Sequence, residues 1–126
     1  MNEIDALIRR ARELLATADG TLRRGDSNTT ANRAYYAMFH AAHALLLARG
    51  LRPASHGGTM SLFAQNFIKT GELDGRFGLA LTKAYMLRHR SDYEVMKSIR
   101  KDEARAILRA AKEFVTMVEG KLASSR

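Results

Sequence analysis

The sequence predicts an all-α protein, an up-and-down bundle of four long helices plus one short helix. Three observations carry that reading. Apolar residues recur with a period near 3.6 in segment after segment. A single proline, Pro53, in 126 residues leaves long stretches free of helix breakers. No segment alternates polar and apolar residues with the period of two that a half-buried strand requires.

The first helix is expected from Asn2, whose side chain suits the free amides of a first helical turn. Ile4, Leu7, Ile8, Ala11, Leu14, Leu15, Ala18 and Leu22 trace its apolar face, with Arg9, Arg10 and Glu13 opposite. "RRGDSN" at 23–28 interrupts it, and Asp26, Ser27 or Asn28 can cap the next helix. That second helix is expected from about residue 28 to 49, with Gly50 just past its end, where a left-handed backbone favours glycine. "LRPASHGG" is the main loop. Ser55 or His56 opens a shorter third helix that buries Leu62, Phe63, Phe67 and Ile68. "GELDG" is a turn. The fourth helix covers "RFGLALTKAYMLRHRSDYE", with Phe77, Leu81 and Tyr85 along one strip. "VMKSIRKD" connects it to the last helix, where Asp102 and Glu103 suit the positive helix start. Ala106, Leu108, Ala110, Phe114, Val115, Met117, Val118 and Leu122 form that helix's expected stripe. The whole chain, 1–126, reads as one domain, without internal repeats.

Composition narrows the function. The chain has no cysteine, so it holds neither a disulfide framework nor a thiolate metal site. No apolar run approaches the length of a membrane span, and "MNEIDALIRR" lacks the apolar segment of a signal peptide. A cytoplasmic location is expected. Lys and Arg number 21 against 13 Asp and Glu, a net charge of +8. Such a surplus points to a polyanionic partner such as RNA, a nucleotide or an acidic protein.

Few residues have the chemistry for a site. His40 and His43 are three apart in "NRAYYAMFHAAHALL", but no HExxH pattern or third ligand accompanies them, so no metal is expected. The aromatics of that segment read as core or dimer face. "HGGTM" lacks the lysine of a phosphate loop. "LRHRSDYE", 87–94, is different. Arg88 and Asp92 are four apart and share a helix face. If Phe77, Leu81 and Tyr85 are buried, the pair continues a buried stripe, where charge is costly to desolvate.

"NRAYYAMFHAAHALLLARG", the histidine of "RPASHGG", "SLFAQNFIKTGELD" and "LRHRSDY", taken in order, resemble the small stand-alone HEPN-domain proteins of bacteria and archaea. The resemblance runs over nearly the whole chain. It implies a helical bundle that pairs as a homodimer, often encoded beside a minimal nucleotidyltransferase, with some pairs acting as toxin and antitoxin. Catalytic members are metal-independent RNases whose motif is an arginine, a neighbouring polar residue, and a histidine after four to six intervening residues. On this chain the arginine falls on Arg88 and the polar residue on His89, but Tyr93, Glu94 and Val95 stand where the histidine would be. The stretch resembles instead the family branch carrying an arginine followed by Asp-Tyr, here Arg88, Asp92 and Tyr93. Arg33–His40 and Arg49–His56 match the motif by count but lie outside its position.

The departure weakens the case for catalysis. Tyrosine, with a pKa near 10, is a poor base at neutral pH, whereas histidine is suited to proton transfer. His89, as the neighbour of Arg88, is turned by about 100° on a helix. The leading expectation is a dimeric module that binds nucleotide or RNA through Arg88, Asp92 and Tyr93, with Arg33 as a further candidate. Its expected partner is a minimal nucleotidyltransferase in a toxin–antitoxin-like system, and no cofactor is expected. The alternatives are a metal-independent RNase using Arg88 with His89 or Tyr93, and a protein-interaction adaptor. In related systems a partner nucleotidyltransferase adenylylates a motif tyrosine, which makes Tyr93 a candidate target.

Overall fold

A computed structural model of the chain describes residues 2–94 and 98–124. It contains five α-helices: α1 (Glu3–Arg23), α2 (Ser27–Ala48), α3 (His56–Phe63), α4 (Gly75–Tyr93) and α5 (Lys101–Ser124). Among the described residues there is no strand. None of their helices is long and apolar enough to cross a membrane.

The local signals at the helix starts act as read. Asn2 Oδ1 accepts from the Asp5 amide at 2.9 Å, and Asp26 Oδ1 accepts from the Thr29 amide at 3.2 Å. Ser55 Oγ accepts from the Gly58 amide at 2.9 Å. Each bond satisfies one amide that a helix start leaves free. Gly25 and Gly50 close α1 and α2 at φ of 80° and 76°, a region that costs a side-chain-bearing residue energy. α5 starts with one half of a capping box: Glu103 Oε1 accepts from the Arg100 amide at 3.0 Å. The expected connector 95–102 falls partly outside the described residues. Its described end is tied down by Asn28 Oδ1, which accepts from the Ile99 amide at 3.0 Å.

α2 is the central helix, packed by α1, α3, α4 and α5. Ala31, Ala34, Ala37, Ala41, Ala42 and Ala44 are completely buried, and their small side chains let neighbouring helices approach closely. Phe63, Phe67, Phe77 and Phe114 form an aromatic cluster under α3 and α4, with ring centroids 5.4 to 6.0 Å apart.

Three features differ from the sequence reading. The third helix, expected to run on through Ile68, is α-helical only to Phe63 and continues as a π-helical turn, Ala64–Ile68. On α5, Ala106 is exposed, and Ala104, Ile107 and Ala111 face inward beside the expected Leu108. On α4, Phe77 and Leu81 are buried but Tyr85 is 38 % exposed. The reason is helical geometry. Residues spaced strictly by four advance about 400°, so the line rotates about 40° per step out of the core. The buried face continues through Ala84 and Leu87, and Arg88 is the next residue on that side.

Candidate functional site

Arg88 therefore projects from the core side of α4 toward α2, and its side chain is 25 % exposed. Its guanidinium carbon lies 5.4 Å from the ring centre of Tyr35 and 5.2 Å from that of Tyr36. Both distances fall within the range of a cation–π contact, worth about 0.5–2 kcal/mol depending on desolvation. Asp92 Oδ2 lies 3.4 Å from Arg88 Nε, an ion pair across one turn of α4. Nε itself is sealed from solvent and makes no aligned hydrogen bond. The guanidinium is thus anchored by two rings and one carboxylate on its own helix.

The remaining candidates fan out from Arg88. His89 is exposed and turned away from α2, as the 100° step demands. Its ring packs 4.7 Å from Tyr93 and 6.3 Å from Tyr85. Tyr93, at the end of α4, is 70 % exposed. Arg33 lies one turn before Tyr36 on α2 and donates to Asn32 Oδ1 at 2.7 Å. The fold thus joins Arg88 and Asp92 directly, places His89 and Tyr93 on the rim, and sets Arg33 farther along α2.

The aromatic partners of Arg88 were not legible as site residues. Tyr35 is fully buried and Tyr36 half-buried. The Tyr35 hydroxyl is buried without a protein partner, and burial raises its pKa, only partly offset by Arg88. The phenol is therefore protonated at neutral pH, a donor rather than a base. Beyond Tyr36 the aromatic surface continues to His40, ring centres 6.2 Å apart, and to His56, 6.1 Å apart. His56 stacks on Phe39 at 4.1 Å. Burial lowers the pKa of His40, and Arg10, His43 and His56 push it the same way. Its imidazole is neutral at pH 7. Among the described residues no three His, Asp or Glu side chains gather to hold a metal ion.

A second feature lies on the opposite flank of α4. An open cleft of about 510 Å³ is lined by Lys83, Tyr85, Met86, His89, Arg90 and Glu103, but by neither Arg88 nor Asp92. Its arginine is already neutralised: Arg90 Nη2 meets Glu103 Oε1 at 2.5 Å. The bond to Arg90 and that to the Arg100 amide hold the Glu103 carboxyl below its usual range. The other cation of this cleft is Lys83, exposed on α4.

The family model described as HEPN domain matches residues 4–121. The chain belongs to the HEPN domain family. A protein of Methanocaldococcus jannaschii named "Putative toxin MJ0605" is 37 % identical to this HEPN chain over 117 residues, covering 93 % of this chain and 87 % of the relative. A "UPF0332 protein" of Archaeoglobus fulgidus is 35 % identical over 126 residues, with both chains covered completely. Another protein of that name, from Thermotoga maritima, is 32 % identical over 123 residues, covering 94 % of this HEPN chain and 93 % of its own.

Proposed function

We propose that this protein, acting as a single HEPN domain and a homodimer, binds a nucleotide or RNA at Arg88. The observation that carries the reading is the arginine itself, half-buried on two tyrosine rings and, among the described residues, countered only from its own helix. A guanidinium so held keeps donors for a phosphate and meets it in a fixed orientation. The surplus of basic residues favours the same class of ligand.

Support for the homodimer comes from α4. Leu79, Met86 and Tyr93 are exposed and stand seven residues apart, so they form one stripe along the helix. Pairing two such stripes buries them and leaves Arg88, about 200° round α4 from Met86, on the inner side of each helix. Two relatives from Methanocaldococcus jannaschii carry "toxin" in their names. With the family resemblance, this supports a toxin-like role beside a minimal nucleotidyltransferase in the cytoplasm. Tyr93 is exposed in the unpaired protomer, where such a partner reaches it; finding it unmodified after co-expression would count against that role.

A second reading, a metal-independent RNase, is favoured by the contact of His89 with Tyr93 at the rim of the site. The deciding experiment is RNA binding and cleavage in EDTA by wild type, Arg88→Ala and Tyr93→Phe. Binding without turnover, lost in Arg88→Ala, supports the module. Cleavage lost in Arg88→Ala supports the RNase. Partner binding that survives Arg88→Ala, with no affinity for RNA or nucleotide, supports an adaptor. The solution mass is expected near twice the 14.0 kDa of the monomer.

A further inference from the structure

α2 is buried on nearly every side, which makes its one accessible line informative. Arg33, Tyr36, His40 and His43 follow at spacings of three, four and three, and all four are half-buried. The residues between them, including Ala34, Ala37, Ala41 and Ala42, are completely buried. The line stays half-exposed and carries a tyrosine and two histidines beside its arginine.

We infer that the ligand site extends from Arg88 along this line of α2 and that its ligand is a single-stranded polynucleotide rather than a mononucleotide. The inference rests on the reading of Arg88 as a ligand-binding residue. Arg88 and His56 flank Tyr36 at 5.2 and 6.1 Å, so cation and rings form one continuous surface. Phosphates are met by Arg88 and Arg33, and bases stack on Tyr36 and His56, a combination tolerant of sequence. Among the described residues Arg33 forms no close ion pair: it donates to the neutral Asn32, and Asp26, which caps α2 by accepting from Thr29, feels its charge only at longer range. His40 Nδ1 is sealed from solvent without a protein partner. From Arg33 to His43 the helix rises about 15 Å. That length corresponds to about four phosphates at a stacked spacing of about 3.4 Å, more than one nucleotide occupies.

The test is a fluorescence-anisotropy series with AMP and with RNA and DNA single strands of about 2, 4, 8 and 16 nucleotides. It uses wild type, Arg88→Ala, Arg33→Gln and His56→Ala, with the mass of each measured by light scattering. The 8-mer is expected to bind at least ~10-fold more tightly than AMP, with little gain beyond it. Arg33→Gln and His56→Ala are each expected to weaken the 8-mer about 5- to 10-fold with mass unchanged, and His56→Ala to leave AMP affinity unchanged. Affinity independent of length, with AMP binding lost in Arg88→Ala, overturns the extended site and leaves the Arg88 reading standing. A change of mass in Arg33→Gln or His56→Ala overturns it too, assigning the line to contact between two copies. Absence of binding by any strand or by AMP overturns both readings. Equal affinity for RNA and DNA assigns recognition to bases and phosphates, and a preference for RNA adds the 2′-hydroxyls; both outcomes uphold the polynucleotide.

Discussion

Arg12 and Arg88 occupy two seams of the same bundle and meet opposite surroundings. In the α1–α5 seam, Arg12 forms an ion pair with Glu119 on the facing helix and donates to Thr116 Oγ1 at 3.1 Å. Lys112 and Asp19 pair across the same seam at 2.7 Å. In the α2–α4 seam, Arg88 meets no carboxylate of another helix among the described residues. It lies on Tyr35 and Tyr36, with Asp92 of its own helix as counter-charge. A cation closed off by an acid across a seam ties helices together. A cation backed by rings is held in place yet still faces outward with donors to spare. The chemistry of the side chain is the same, and the neighbours decide whether it serves the fold or a ligand.

The sharpest way to break this comparison is to exchange the roles. Arg88→Ala is expected to reduce affinity for single-stranded RNA by ~100-fold, about 2.7 kcal/mol. Its effect on stability in urea should stay within about 1 kcal/mol, because the ion pair is partly solvated. Arg12→Ala should leave RNA affinity unchanged. Equal loss of affinity in both variants would reduce the effect to net charge.

A second test concerns Glu103, the acid that neutralises Arg90 on the other flank of α4. Glu103→Ala removes charge-assisted bonds to Arg90 and to the Arg100 amide, and should cost about 2 kcal/mol in urea unfolding. The folded carboxyl titrates below its unfolded value, so its stabilisation is complete above the ordinary carboxylate range and fades as pH falls through it. The stability gap between wild type and Glu103→Gln should thus be widest above about pH 5 and shrink toward pH 3. A gap that does not change with pH would show that the carboxylate charge is not what matters.

Tyr35→Phe sharpens the comparison at Arg88. Removing a buried hydroxyl that has no protein partner should leave stability unchanged or raise it by up to about 1 kcal/mol, measured as the shift in Tm. A loss larger than that would assign the hydroxyl a partner of its own in the site. The smallest effect belongs to the α1–α5 seam. A double-mutant cycle on Arg12 and Glu119, both about two-fifths exposed, should return a coupling near 0.5 kcal/mol that declines with added salt.

What the sequence made legible was what one helix turn decides. Asn2, Asp26 and Ser55 cap helices because the side chain and the amides it binds lie within three residues. Gly50 ends α2 because its own backbone must turn left-handed. Arg88 and Asp92 pair because four residues make one turn. What escaped depends on other helices. The strict four-residue line through Tyr85 leaves the core by rotation, a drift visible only once the axis of α4 is fixed against α2 and α5. The π-helical turn at Ala64–Ile68 leaves no composition signal. The resting place of Arg88 on Tyr35 and Tyr36 joins residues more than fifty positions apart. The alternation of buried alanines with Arg33, Tyr36, His40 and His43 was in view, but a half-polar helix edge becomes informative only when the rest of the helix proves buried.

The central claim, that the α2–α4 seam and not the α1–α5 seam receives the ligand, is tested most directly by amide chemical-shift mapping with a single-stranded RNA. The account predicts the largest shifts at Tyr36, His56, Arg88, His89 and Tyr93, absent in Arg88→Ala, with Arg12 and Lys112 unmoved. Shifts concentrated along Arg12, Lys112 and Glu119, or a pattern that persists in Arg88→Ala, would contradict it.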